Sequence, residues 1–162
     1  MARILVVDDE EGIREFLADA LAADGHETRS AADGMAALAQ LHERAFDVML
    51  TDLRMPGALD GIDILRSARA EQPDLEVIVL TAHGSVDTAV EAMKLGAFDY
   101  LEKPLDSPAE LRLLVARALE RRRLLAMKEQ TTRARAESLP PLTWGDPAMA
   151  DVVRAIERVA PT

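Results

Sequence analysis

Five side chains suited to phosphoryl chemistry sit at or just after short apolar runs of this chain. Asp8 and Asp9 follow Ile4-Leu5-Val6-Val7, and Asp52 follows Asp47-Val48-Met49-Leu50-Thr51. Thr81 follows Val77-Ile78-Val79-Leu80, and Lys103 follows Phe98-Asp99-Tyr100-Leu101-Glu102. If those runs are strands of one open parallel sheet, their carboxyl ends share an edge, and ligands bind in the crevice there. Three carboxylates, a hydroxyl and an ammonium then meet in one pocket. Carboxylate oxygens suit a hard cation such as Mg²⁺, while Lys and Thr suit the oxygens of a transferred phosphoryl group. Taken singly each residue has a plainer reading. Asp8-Asp9-Glu10-Glu11 is an acidic first turn of the kind a helix dipole favours, Asp52 is a turn former before a proline, Thr81 is a strand-end hydroxyl, and Lys103-Pro104 is a surface turn. Their joint order along the strand ends points to chemistry.

The elements that must position them follow from periodicity. Strands are expected near 3–7, 27–31, 47–51, 77–81 and 98–101, alternating with helices near 11–24, 34–44, 61–72, 85–95 and from 107 to about 130. Alternation of this kind marks βαβ units and an α/β fold with a parallel sheet. Ile13, Phe16, Leu17, Ala20 and Leu21 give the first helix its apolar face, and Gly25 is placed to end it. Gly96 does the same for the fourth helix, and Ser107-Pro108 opens the fifth with a cap and a first-turn proline. Leu111, Leu114, Val115, Ala118 and Leu125 form an apolar stripe on the fifth helix, broken at Arg121 and Arg122. Because that helix outruns a small sheet, a short coiled coil with a second copy is expected. From Gln130 to Pro141 a linker is expected, and then an amphipathic helix from Pro147 to Val159, with Trp144 before it as a residue that could dock a neighbouring domain.

Composition narrows the classes. The chain has 162 residues, a formal charge of −10 and no cysteine, so thiol nucleophiles, disulfides and thiolate zinc sites are excluded. His26, His42 and His83 are scattered and make no metal-ligand pattern. Residues 1–106 hold 22 acids against 9 bases, and residues 107–162 hold 7 acids against 10 bases. An acidic body argues against direct nucleic-acid binding, which draws its affinity from Lys and Arg neutralising phosphates. No apolar run reaches the roughly 18 to 20 residues that span a bilayer, and the N-terminus lacks a signal-peptide pattern. A cytoplasmic protein is expected.

Residues 1 to about 122 closely resemble a response-regulator receiver domain of two-component signalling. The resemblance rests on Ile4-Leu5-Val6-Val7-Asp8-Asp9-Glu10, Asp52-Leu53-Arg54-Met55-Pro56-Gly57, Leu80-Thr81-Ala82-His83-Gly84 and Gly96-Ala97-Phe98-Asp99-Tyr100-Leu101-Glu102-Lys103-Pro104. It implies a flavodoxin-like (βα)5 doubly wound sheet in strand order 2-1-3-4-5, with an extended C-terminal helix. It further implies that Asp52 is the phosphoryl acceptor and that Asp8, Asp9, Asp52 and the backbone carbonyl of Arg54 hold Mg²⁺. Thr81 then binds a phosphoryl oxygen, Lys103 pairs with the acyl phosphate, Tyr100 is an aromatic switch, and the peptide before Pro104 is cis. His83, two residues after Thr81, is either a solvated loop histidine or a modulator of hydrolysis. The phosphodonor implied is a phosphohistidine on a sensor histidine kinase. Between Asp52 and Gly61 the chain is one residue longer than is usual in the family, so the loop before the third helix is expected to bulge.

The segment from Gly84 to Tyr100 resembles a narrower group, receivers of the nitrogen-regulatory type that control sigma-54-dependent transcription. Gly145-Asp146-Pro147-Ala148-Met149 and Val159-Ala160-Pro161-Thr162 are similar to the opening of that group's AAA+ ATPase domain, whereas the G-x-x-x-x-G-K that follows there is absent. The organisation implied is a receiver at 1–122, a helical extension and linker at 123–141, and an incomplete start of an AAA+ domain at 142–162. The module is then a phosphorylation-controlled switch and not an enzyme, a homodimer whose ATPase and DNA-binding domains belong to a longer protein. Two alternatives stand beside it. One is a stand-alone receiver acting as a phosphorelay or protein-binding switch. The other is a Mg²⁺-dependent aspartyl phosphatase, a family that places a second Asp where this chain has Arg54.

Overall fold

The computed structural model describes residues 1–82 and 86–138. The elements run β1 (Arg3–Val7), α1 (Glu11–Ala23), β2 (Glu27–Ala31), α2 (Gly34–Glu43), β3 (Val48–Asp52), α3 (Gly61–Glu71), β4 (Glu76–Thr81), α4 (Val86–Lys94), β5 (Asp99–Glu102) and α5 (Pro108–Ser138). All strand pairs are parallel, in the order β2-β1-β3-β4-β5 expected from the sequence. β3 and β5 each run one residue later than expected, so Asp52 is the last residue of its strand instead of the first beyond it.

The burial of each strand explains its composition. β3 and β4 are buried throughout and β1 nearly so, because helices cover both faces, and such strands need continuous apolar runs. The edge strands β2 and β5 are partly exposed and mixed in composition. Side chains alternate between faces. Leu5, Val7, Met49, Val77 and Val79 pack with Leu41, Ile64, Leu65 and Ala92 from α2, α3 and α4. Ile4, Val6, Val48, Leu50, Ile78 and Leu80 pack with Leu17 and Leu21 of α1 and with Leu111, Leu114, Val115 and Ala118 of α5.

Local signals set the ends of the helices. Asp33 caps α2 by accepting from Ala36 N at 2.8 Å, and Asp60 and Asp63 form a capping box on α3. Gly25 (φ +85°) turns the chain out of α1, Gly96 (φ +100°) follows α4, and the Ser107 hydroxyl accepts from Ala109 N at 3.2 Å at the start of α5.

The fifth helix departs from expectation twice. It continues through Ser138, so residues 130–138 are helix and not linker. Arg, Ala and Glu are good helix formers, and Thr131 and Thr132 return their hydroxyls to the carbonyls of Met127 and Lys128. The second departure is in the apolar stripe. Leu111, Leu114, Val115 and Ala118 are buried against the sheet of their own domain and are not available to a second copy. Leu113, Leu124, Leu125 and Met127 remain exposed. Residues Met1–Leu125 form one compact unit and the chain from Ala126 a second. Pro141, Trp144, the helix expected at Pro147–Val159, the AAA+-like start at 142–162 and His83 lie outside the described residues.

Arg121 and Arg122, which interrupt the stripe, fasten α5 to the amino-terminal edge of the sheet. Arg121 reaches Glu76 at 3.2 Å and stacks on the Phe98 ring, while Arg122 donates to Asp47 Oδ1 and to the Phe46 carbonyl. The Glu76 side chain is 4% exposed against 52% for Arg121. Truncating the arginine therefore strands a buried carboxylate, at a cost of about 1–3 kcal/mol. Urea unfolding of Arg121→Ala should show that loss, whereas Arg123→Ala, whose partner Glu120 is exposed, should change stability by less than about 0.5 kcal/mol.

Candidate functional site

The strand order reverses between β1 and β3, and the carboxyl ends of both carry acids. Asp8 N donates to the Ala31 carbonyl at 3.2 Å, extending the β1–β2 ladder by one residue. Asp8 Oδ1 accepts from Glu10 N at 2.9 Å, a local turn that aims the other oxygen into the crevice. Asp8 is fully buried, Asp52 is 7% exposed, and Asp9 lies open to solvent. Asp52 Oδ1 accepts from Arg54 N at 3.1 Å, so the chain folds over the acid as it leaves β3. Gly61 makes this fold possible, because a Cβ there would lie 2.2 Å from the Asp52 carbonyl oxygen and 2.5 Å from Leu53 Cα. The longer loop is accommodated by Gly57 (φ +111°) and by Leu59, which packs against the core.

Lys103 arrives from the far side of the sheet. Its backbone N donates to the Thr81 carbonyl at 2.7 Å, and the Lys103–Pro104 peptide is cis. The ammonium lies 2.8 Å from Asp8 Oδ2 and 2.9 Å from Asp52 Oδ2, with Glu10 at 4.0 Å. Burial pushes the Asp8 carboxyl above its usual range, and the nearby Asp52 adds to this. The Lys103 ammonium and the Glu10 amide oppose the rise without overcoming it. Burial alone would lower the Lys103 pKa, but its bonds to Asp8 and Asp52 outweigh that and hold it above the usual lysine value.

The acids also fit a cation. One oxygen each of Asp8, Asp9 and Asp52 lie within 4.8 Å of one another. Asp8 Oδ2 is buried, and apart from the Lys103 ammonium at 2.8 Å it has no polar partner among the described residues. A buried carboxylate oxygen with a free lone pair beside two further carboxylates matches the oxygen-rich donor set of a divalent metal.

Asp8, Asp9, Asp52 and Lys103 thus come together as the spacing implied. Thr81, 2% exposed, ends β4 one residue beyond Leu80, the register partner of Asp52. Tyr100 pairs with Val79 on edge strand β5 and stands at the surface, 44% exposed. Arg54 is exposed, with its amide on Asp52. Two groups were missed by reasoning from sequence. The Glu10 amide shapes Asp8, and the Arg14 guanidinium donates to the Asp8 carbonyl at 2.8 Å. The available signal for Arg14 was a cation in the opening turns of a helix, where the dipole disfavours positive charge.

The sequence pattern of the response regulator receiver domain matches residues 4–116. The chain belongs to that family. Receiver domains are regulatory modules, and known relatives agree. The regulatory protein AtoC of Escherichia coli is 40% identical over 163 residues, covering 98% of this chain and 34% of that protein. NtrX from Brucella abortus, crystallised with ATP, superposes with a TM-score of 0.76 at 39% identity, covering 99% of this chain and 35% of that one. The beryllofluoride-activated NtrC4 receiver domain dimer gives 0.70 at 40% identity, covering 75% of this chain and 99% of that one. This receiver therefore spans about a third of the length of AtoC and NtrX. Among the described residues, no helix is long and apolar enough to cross a membrane.

The raised Asp8 pKa has a consequence for stability. A carboxyl whose folded value lies above its unfolded value of 3.8 contributes stability at lower pH and loses it as pH rises through the folded value. At neutral pH, in chelator, Asp8→Asn should melt higher than the parent receiver. The difference should vanish below about pH 3.8, and Mg²⁺ should raise the melting temperature of the parent but not of the variant. Thermal melts with and without the metal across that pH range check all three outcomes.

Proposed function

We propose that this receiver accepts a phosphoryl group on Asp52 from the phosphohistidine of a sensor histidine kinase and thereby changes how it associates with a second copy. The observation that carries this reading is the Asp52 carboxylate, nearly buried at a strand end, bridged by Lys103 to Asp8, with Asp9 completing a metal-ligand triad. An Asp52 oxygen attacks phosphorus as the P–N bond to the kinase imidazole breaks, and the imidazole leaves with the electron pair of that bond. Lys103 turns from the carboxylate to an oxygen of the acyl phosphate, and the Thr81 hydroxyl donates to another. Asp8, Asp9 and Asp52, with the Arg54 carbonyl, would hold Mg²⁺. When bound, that cation neutralises charge on the equatorial oxygens during transfer and offsets the repulsion among the three acids.

The output follows from the strands. Recruitment of Thr81 to the phosphoryl group frees space toward which Tyr100 turns. Tyr100 lines one crevice with Leu113, and Val86, Val90 and Met93 of α4 are exposed as well, so we take its movement to reshape an apolar face built from β5, α5 and α4. That face, with the exposed Leu124 and Leu125, is where a second copy docks, a reading supported by the dimeric NtrC4 relative. The module works in the cytoplasm within a longer sigma-54-dependent regulator whose ATPase and DNA-binding domains lie elsewhere. The length of the relatives and the ATP bound by NtrX support that context.

Two measurements test the proposal. Acetyl phosphate with Mg²⁺ should label Asp52 alone, as read by trapping the acyl phosphate and mapping peptides, and undiminished labelling of Asp52→Ala would sink the assignment. Sedimentation at tens of micromolar, with and without beryllofluoride, should show a dimer whose affinity or shape changes. A monomer in both states overturns the dimer, and identical behaviour in both overturns the switch.

A further inference from the structure

We infer that Arg14 is a positioning residue for the acidic pair, acting through the peptide that joins Asp8 to Asp9. The inference rests on the metal-holding role proposed above for those acids. α1 begins without a side-chain cap on its first amides, Glu10 being the capping residue in position only. The junction is secured instead from within. Glu10 N donates to Asp8 Oδ1 at 2.9 Å, Arg14 N closes the first helical bond to the Glu10 carbonyl at 3.1 Å, and the Arg14 guanidinium reaches back to the Asp8 carbonyl at 2.8 Å. That carbonyl belongs to the rigid plane linking Asp8 to Asp9, so fixing its direction fixes ψ of Asp8 and the plane from which Asp9 departs, while the Glu10 amide on Asp8 Oδ1 restrains the chain on the far side of Asp9. Asp8 N is already held by Ala31 O at 3.2 Å. With both sides of Asp8 pinned, the remaining freedom is the exposed Asp9 side chain, whose oxygen must stay within 4.8 Å of the other two.

Charge makes the placement specific. A cation in the opening turns of a helix opposes the dipole, and this one is spent on a backbone carbonyl instead of an acidic side chain. The contact therefore orients its partner more than it neutralises it. Groups that hold metal ligands from behind typically govern affinity by about 10- to 100-fold.

The test measures Mg²⁺ affinity by titration calorimetry in the parent chain, Arg14→Ala and Arg14→Lys, with melting temperatures in chelator taken on the same samples. Arg14→Ala should weaken Mg²⁺ binding by about 10-fold or more, and Arg14→Lys, which keeps a donor, should restore part of it. In the metal-free protein the Glu10 amide proton resonance should move in Arg14→Ala and return toward its parent position in Arg14→Lys. Unchanged affinity in a folded Arg14→Ala overturns the positioning role. Tighter binding overturns it too, by showing that the guanidinium acts as a repelling charge. Should Arg14→Ala not fold, parent-like affinity and an unmoved Glu10 resonance in Arg14→Met, which keeps an unbranched side chain but no donor, would overturn it equally. A parent chain that binds no Mg²⁺ defeats the metal reading itself and the inference with it, whereas parent binding with unaffected variants defeats the inference alone.

Discussion

Three carboxylates at one edge of a sheet repel one another, and Lys103 makes that edge tenable. Two unit charges about 4 Å apart interact by about 4 kcal/mol at the effective dielectric of a protein surface. One ammonium at 2.8 and 2.9 Å from two of the acids turns a repulsive pair into a bridged one. The bridge works only because β1, β3 and β4 hold the strand ends together, and they do so through nearly continuous apolar burial on both faces. The hydrophobic core thus supplies the energy that keeps like charges close. Lys103 limits the remaining cost, and a metal would lower it further. A site that is under electrostatic load when empty favours whatever neutralises it.

Much of this was legible in residue order. Ile4-Leu5-Val6-Val7 before Asp8 and Val77-Ile78-Val79-Leu80 before Thr81 announce buried strands, and their shared direction carries the acids, hydroxyl and lysine to one edge. Long-range side-chain contacts were not legible. Nothing in the spacing of Arg121 and Arg122 says that their partners are Glu76, Asp47 and the Phe46 carbonyl, because those contacts arise only once α5 crosses the amino-terminal edge of the sheet. The same residues looked like a fault in a coiled-coil stripe. The end of α5 was obscure for another reason, since Thr131 and Thr132 argue against a helix by propensity while their hydroxyls bond back within it.

Reassigning the α5 stripe changes what the helix is for. Leu111, Leu114, Val115 and Ala118 close the core on the face opposite α3, so the helix is a structural wall of the domain before it is anything else. Its exposed apolar residues, Leu113, Leu124 and Leu125, lie apart from that buried row. An exposed apolar row and a buried one are thereby separated on one helix, and a change at the first need not loosen the second.

The close seat of Gly61 on β3 has a mechanical consequence. With no room for a single carbon between α3 and the backbone of Asp52, that flank of the crevice is incompressible, and α3 is anchored further by Ile62, Ile64, Leu65 and Ala68. Across the crevice α4 buries only Ala89 and Ala92, side chains with little apolar area to lose. A new charge at Asp52 would meet a stiff support on one side and a compliant one on the other. Displacement would run toward the compliant side, so the difference in stiffness between two helices would give a small change in charge its direction.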